Sequence, residues 1–428
     1  MAVSRFAAIN AGSYELMLKI YEISAGKKVR ILDNVRYVME LGRETYTEKK
    51  VSFETIEKMC DILEKFTKVL EEYQVTDYVA VATSGIREAE NAEIIVDRIK
   101  VRTGLNVRLI SNSEQRLYTY KALAMYPEEY EAFSKGNTAI LDVGAGSIQI
   151  SMMDKKNIAS TQNIKIGSMR IRELLLNLSE NMKHFDTLLD ELINNDLQTF
   201  KRMFIKDKAI DNIIATGEQI TLFTKNKNTG DFDRLMTTED FMGRYKQLNT
   251  KSQDEIEKEI KVKSEQATIL IPCARIYGRF IEVVGCKNLW VPGTDICDGV
   301  AMDYAMSRKK IMDKHNFDED ILNEVRGISK RYKGNTVHIQ FVRSLAVQIF
   351  DVTKKIHGLS KRERLILELA AMLHDCGKYI SIHNAAECSY NIIMATEIIG
   401  LSHAFGTCFI DFIRFFYVIH FGYPFAEV

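Results

Sequence analysis

The amino-acid sequence predicts two duplicated α/β lobes followed by an all-helical domain, and three observations carry that expectation. The turn Asn10-Ala11-Gly12-Ser13 between two apolar strands returns about 130 residues later as Asp142-Val143-Gly144-Ala145-Gly146-Ser147, a spacing too wide for a solenoid and suited to two homologous lobes. Strand patterns alternate with helical ones as far as Pro292-Gly293, as layered α/β structure requires. Beyond that point the strand signal fades, and from residue 321 apolar side chains recur at helical spacing. The expected boundaries are 1–125 and 126–304 for the lobes and 305–428 for the helical domain.

In chain order, residues 5–22 predict a hairpin: an apolar strand, the Gly12 turn, and the alternating Leu16-Met17-Leu18-Lys19-Ile20-Tyr21. Residues 51–73 set Ile56, Met59, Ile62, Leu63, Phe66, Val69 and Leu70 at helical intervals, ahead of the strand Tyr78-Val79-Ala80-Val81-Ala82. A helix over 91–103, a strand over 107–110 and a helix over 114–125 follow. The second copy opens with Thr138-Ala139-Ile140-Leu141-Asp142, and Ile148-Gln149-Ile150-Ser151-Met152 is its returning strand. In the last domain, 361–374 is strongly amphipathic.

At 428 residues and 46% hydrophobic composition the chain can bury two or three cores. Lys plus Arg and Asp plus Glu number 58 each, so no global field draws it to nucleic acid or an anionic membrane, and a polyanion must be held locally. Seven cysteines at 60, 273, 286, 297, 376, 388 and 408 form no CxxC pair, which argues against a zinc ribbon or disulfide framework and for a reducing cytoplasm. The N-terminus shows no charged-then-apolar leader. Residues 405–425 are apolar and long enough to span a bilayer, but Asp411, Arg414 and His420 interrupt them and Gly406, Gly422 and Pro424 break them. A buried or partner-facing tail is expected there, not a membrane span.

A turn rich in Gly and Ser lets backbone N–H groups approach a phosphate unobstructed, and the serine hydroxyl adds a donor. Alone, such a turn is most often only a turn; a facing pair with Asp142 at a strand end points to phosphate chemistry.

The residues quoted so far resemble the exopolyphosphatase/guanosine pentaphosphatase (Ppx/GppA) family. Ala8-Ile9-Asn10-Ala11-Gly12-Ser13 and Leu141-Asp142-Val143-Gly144-Ala145-Gly146-Ser147 look like its two phosphate loops. Ala82-Thr83-Ser84-Gly85-Ile86-Arg87-Glu88-Ala89-Glu90-Asn91 is similar to its Ala-Thr-Ser-Ala-x-Arg-Glu-Ala-x-Asn segment, and Ile110-Ser111-Asn112-Ser113-Glu114-Gln115-Arg116 to its Ile-Ser-Gly-x-Glu-Glu segment. The resemblance, over roughly residues 5–300, implies the two-lobed ribonuclease-H-like fold shared with actin, hexokinase and the heat-shock chaperone ATPase domain.

It further implies roles. Gly12, Ser13, Gly144, Ala145, Gly146 and Ser147, with Asn10, form the phosphate cradle; Asp142 holds Mg²⁺, which favours few carboxylates and retained waters. Arg87 is a planar donor for a terminal phosphate. Glu114, at a helix start, orients or deprotonates the attacking water; on its own such a glutamate serves as a cap. Gly217 faces a nucleotide, and Arg170 contacts phosphate or bridges the lobes. Two departures remove negative charge near the expected metal: Asn10 stands where the family has Asp, and Gly146-Ser147-Ile148-Gln149 where it has Gly-Ser-Thr-Glu.

The helical domain carries His338 and Ala371-Met372-Leu373-His374-Asp375-Cys376-Gly377-Lys378, which resembles the metal-dependent HD phosphohydrolase superfamily; His338, His374 and Asp375 are the expected ligands, and Asp411 is the one aspartate left downstream. The leading expectation is a cytoplasmic Mg²⁺-dependent hydrolase of polyphosphate or guanosine pentaphosphate, without nucleic-acid or membrane partners. Alternatives are a polyphosphate or (p)ppGpp sensor with weakened catalysis and an HD-type nucleotide phosphohydrolase. The helical domain and aromatic tail offer a homodimer surface.

Overall fold

The computed structural model describes residues 3–24, 29–178, 185–226, 229, 231–308, 311 and 315–401. The tail at 405–425, with Asp411 and Cys408, lies outside them. The chain forms two compact units, one of residues 1–156 and 163–314, the other of 157–162 and 315–428.

The strands form two sheets. Strands β1 (Val3–Ala11), β2 (Glu15–Ser24), β3 (Val29–Val38), β4 (Asp77–Ala82) and β5 (Val107–Leu109) run in the order β3-β2-β1-β4-β5. Strands β6 (Asn137–Val143), β7 (Ile148–Asp154), β8 (Asn157–Ile164), β9 (Asn212–Thr216), β10 (Leu235–Thr237) and β11 (Asn288–Trp290) run β10-β11-β9-β6-β7-β8. In each sheet the opening hairpin is antiparallel, β1 with β2 and β6 with β7, and its first strand pairs in parallel with the next strand inward, β4 or β9. The sequence repeat is therefore a repeat of topology, the duplicated actin-like α/β architecture. The turns close alike: Gly12 N–H donates to the Glu15 carbonyl at 2.9 Å and Gly144 N–H to the Ser147 carbonyl at 3.0 Å.

The hairpin strand β2 is buried on both faces, so alternation resolves into two cores. Ala7, Ile9, Leu16, Leu18 and Ile20 meet Met59, Leu63 and Phe66 of the helix Phe53–Glu72 and Ile95 and Ile99 of the helix Ala92–Thr103. Phe6, Ala8, Met17 and Tyr21 meet Cys297, Val300 and Ala301 of the helix Ile296–Ser307. That helix straddles the expected junction at 304/305, and its apolar face completes the first lobe's core; the helical unit starts only at 315.

A buried polar cluster sits beside that second core. Lys19 is 3% exposed and reaches Asp295 at 2.6 Å and Asp298 at 2.9 Å, while the Tyr21 hydroxyl donates to Asp298 at 2.8 Å. Burial alone would disfavour the ammonium, but the two aspartates hold the Lys19 pKa above its ordinary value. Asp295 also caps the helix, its carboxylate accepting from Cys297 N–H at 3.0 Å. The cluster thus fixes where the helix begins. Removing one partner leaves buried charge uncompensated, so Lys19→Ala is expected to lower the unit's stability by about 3–5 kcal/mol in urea unfolding.

The second unit contains the helices Phe317–Arg331, Thr336–His357, Lys361–Leu373 and Ala385–Thr396. Asparagine or serine caps open the first three. Buried Glu324 accepts from Thr161 and, at 2.9 Å, from Ile399 N–H. No described helix is long and apolar enough to cross a membrane.

Candidate active site

The two glycine turns face one another across a single cleft within the first unit. Ser13 and Ser147 both line it, as do Asn10, Gly12, Asp142, Gly144, Ala145, Gly146 and Gly217. Gly217 meets two constraints at once: its φ is +113°, and a Cβ there would lie 2.7 Å from the Val143 carbonyl oxygen. Ser84, Gln115, Thr119, Glu15, Thr294 and Asp295 complete the walls.

A knot of hydroxyls ties the first turn to Tyr46 and Ser84. Tyr46 donates to Ser13 Oγ at 2.7 Å and lies 3.1 Å from Ser84 Oγ, and the two serine oxygens are 2.9 Å apart. Burial pushes the Tyr46 phenol up, against the lowering effect of these bonds and of Arg170. Gly146 approaches so closely that a Cβ would collide with the Tyr46 hydroxyl and come within 2.8 Å of Ser84 Oγ. Arg170 stacks on the Tyr46 ring at 4.0 Å, donates to the Gly146 carbonyl at 2.9 Å and pairs with Glu88 at 2.8 Å. Of the two expectations for Arg170, the interlobe bridge is the one its side chain makes.

Asp142 ends β6 at the cleft floor, where Thr119 donates to its carboxylate at 3.3 Å. Burial raises its pKa, opposed by the Thr119 and Thr216 hydroxyls and by Arg116. Gln149 lies directly across the hairpin from it. Two other carboxylates on the walls are in ion pairs, Glu15 with Arg36 at 3.4 Å and Asp295 with Lys19 and Arg36.

Two expected residues do not line the cleft. Arg87, at the end of the four-residue helix Ser84–Arg87, hydrogen-bonds the Ile110 carbonyl and the Asn112 side chain, pinning the start of the helix Asn112–Leu123. Glu114 makes a capping box with Ser111, accepting Ser111 N–H at 3.0 Å, and pairs with Arg108. The cleft is lined by its neighbour Gln115, one helical step round. The signal was present in the sequence: Ser111-x-x-Glu114 is itself a capping-box pattern, and Gln115 occupies the second glutamate of the matching motif.

In the second unit, His374 Nδ1 lies 2.8 Å from the Ala371 carbonyl, so that nitrogen donates and Nε2, 3.2 Å from His338 Nε2, is the acceptor. Burial lowers the His374 pKa. Asp375 turns to Lys378 at 2.7 Å. Among the described residues no group of three or more His, Cys, Asp or Glu could hold a metal, so the ligand set expected from the HD resemblance is not assembled there.

Two sheets of repeated topology with facing glycine turns define a two-lobed actin-like α/β protein. The Ppx/GppA phosphatase family model matches residues 19–306, and the model of the family's domain III matches 322–415; the chain belongs to the Ppx/GppA phosphatase family. Among solved structures it is similar to an Aquifex aeolicus family member (TM-score 0.58, 22% identity, 74% of this chain and 100% of that one) and to an exopolyphosphatase from Cytophaga hutchinsonii (TM-score 0.60, 19% identity, 71% and 97%). Among curated relatives, exopolyphosphatase 1 of Mycobacterium bovis is 22% identical over 147 residues, 34% of this chain and 42% of that protein. A guanosine-5'-triphosphate,3'-diphosphate pyrophosphatase of Aliivibrio fischeri is 19% identical over 408 residues, 93% and 78%. The chain thus spans less than half the length of the first of these relatives.

Two stability measurements follow from the geometry. Because folding raises the Asp142 pKa, ionising it costs stability as pH rises through the carboxylate range. Asp142→Asn is therefore expected to raise stability at pH 7 by about 0.5–2 kcal/mol, with the gain disappearing in acid melts below about pH 4. Gly146→Ala, which forces Tyr46 aside, is expected to cost about 1–3 kcal/mol, measured by thermal unfolding.

Proposed function

We propose that the cleft receives the terminal phosphate of a phosphoanhydride chain, inorganic polyphosphate or guanosine pentaphosphate, and hydrolyses the last anhydride bond slowly. The observation that carries this reading is that Ser13 and Ser147, equivalent residues of two duplicated turns, line one cleft with Asn10, Ser84 and Asp142. Family membership and the names of the relatives support it. Both ligands present the same terminal group, so the cleft alone favours neither.

In this reading the turn backbones and the hydroxyls of Ser13, Ser84 and Ser147 bear the charge of the transferred phosphoryl group, and positioning and electrostatics supply most of the acceleration. Gln115 orients the attacking water but, as an amide, cannot take its proton, which passes instead to an oxygen of the transferred phosphoryl group, so turnover on this reading is slow. Arg87 and Glu114 act through structure, holding the helix start that presents Gln115.

A magnesium ion is implied by the family resemblance, and the donor set fits it poorly. Among the described residues Asp142 is the one wall carboxylate outside an ion pair. No step is assigned to a metal.

A second reading, binding without turnover, is favoured by the same Gln115. Phosphate release from long polyphosphate and from guanosine pentaphosphate separates the two. The hydrolytic reading expects slow release by the native chain and, for Gln115→Glu, a rise of about 10²-fold, the scale of general-base catalysis. Micromolar binding with no release by either protein would leave the sensor reading standing and remove the hydrolytic one. Absence of binding would remove both.

A further inference from the structure

Resting on the phosphate-chain reading above, we infer that this cleft recognises the terminal phosphate directly, through amide and hydroxyl donors, with no divalent cation between protein and ligand. The walls lack the ligands of a resident cation. A resident Mg²⁺ needs near-octahedral oxygen ligation built from carboxylates, waters and substrate phosphates, yet Glu15 and Asp295 are occupied by Arg36 and Lys19. Asp142 remains alone among the described residues.

What the walls offer points the other way. Four buried polar atoms have no hydrogen-bond partner: Asn10 Oδ1 and Thr294 Oγ1 on the cleft wall, and both amide atoms of Gln149, which does not line the cleft but pairs across the hairpin with Asp142, which does. Asn10 is 9% exposed, Thr294 6% and Gln149 3%. Burying such groups unmet costs free energy that a ligand can return. Two of the four, the Thr294 hydroxyl and the Gln149 NH₂, are donors that a phosphate oxygen satisfies and a metal ion does not; the other two are amide oxygens, which accept. Half a turn of the Asn10 amide presents its NH₂ at the same place.

Gln115, on the facing helix, extends the pattern to a third amide. Carboxylates at Asn10, Gln115 and Gln149 would repel a polyanion unless a cation intervened; three amides of the same shape remove that need. With Glu15 and Asp295 held in ion pairs, Asp142 is the one unpaired carboxylate on these walls among the described residues, and the three amides add no further negative charge against a phosphate chain.

Calorimetry with inorganic tripolyphosphate tests the idea on the full chain, in EDTA and in MgCl₂. The native protein is expected to bind as tightly in EDTA as in magnesium, or more tightly because magnesium complexes the ligand. The combined variant Asn10→Asp, Gln115→Glu, Gln149→Glu is expected to bind at least about tenfold more weakly in EDTA and to recover with magnesium. Native binding that disappears in EDTA and returns with magnesium would overturn the inference while leaving the phosphate-chain reading intact. No binding in either buffer would overturn that reading itself, and the inference with it. Should the variant fail to fold, the comparison of the native protein in the two buffers decides alone.

Discussion

The first unit depends on how closely two turns approach. Tyr46 stands between them, and the α-carbon of Gly146 sits where any larger residue would strike its hydroxyl. That contact lets Arg170 lie over the ring while reaching Glu88 and the Gly146 carbonyl. A cation over an aromatic face and an ion pair contribute modestly in isolation; both here converge on one residue. A second bridge, Arg172 to Glu40, reinforces the same seam. The cleft is thus the space left beside a glycine-permitted contact.

Much of this is legible in the amino-acid sequence. Turn chemistry is local, so Asn10-Ala11-Gly12-Ser13 and its counterpart announced both hairpins, and the closing bonds of Gly12 and Gly144 match. The helix Phe53–Glu72 and the strand Asp77–Ala82 follow the apolar spacing within a few residues. Strand β3 and the helix Pro127–Ser134 were not foreseen. β3 is an edge strand whose apolar residues, Val29, Ile31, Leu32, Val35, Tyr37 and Val38, do not alternate strictly, so no two-residue period marks it.

Side-chain direction was the harder matter. Glu114 and Gln115 are neighbours in sequence but about 100° apart on a helix, and Ser111 decides which of them turns back to the helix end. Arg87 ends a helix of four residues, too short for periodicity to orient it, and its guanidinium goes to the backbone of another segment. In the second unit an adjacent His-Asp pair suggested converging ligands, yet the peptide geometry spends His374 Nδ1 on its own helix and Asp375 on Lys378. Composition names such residues; only the fold aims them.

The buried Lys19 cluster has a consequence for synthesis. Lys19 and Asp298 are 279 positions apart, so one layer of the N-terminal sheet waits for a helix made long after it. At about 5–20 residues per second, that delay is on the order of tens of seconds on the ribosome. During that interval the nascent strand exposes an apolar face and an ammonium with no counter-charge. The lobe whose strands come earliest in this sequence is consequently complete only once the helix Ile296–Ser307 has been made.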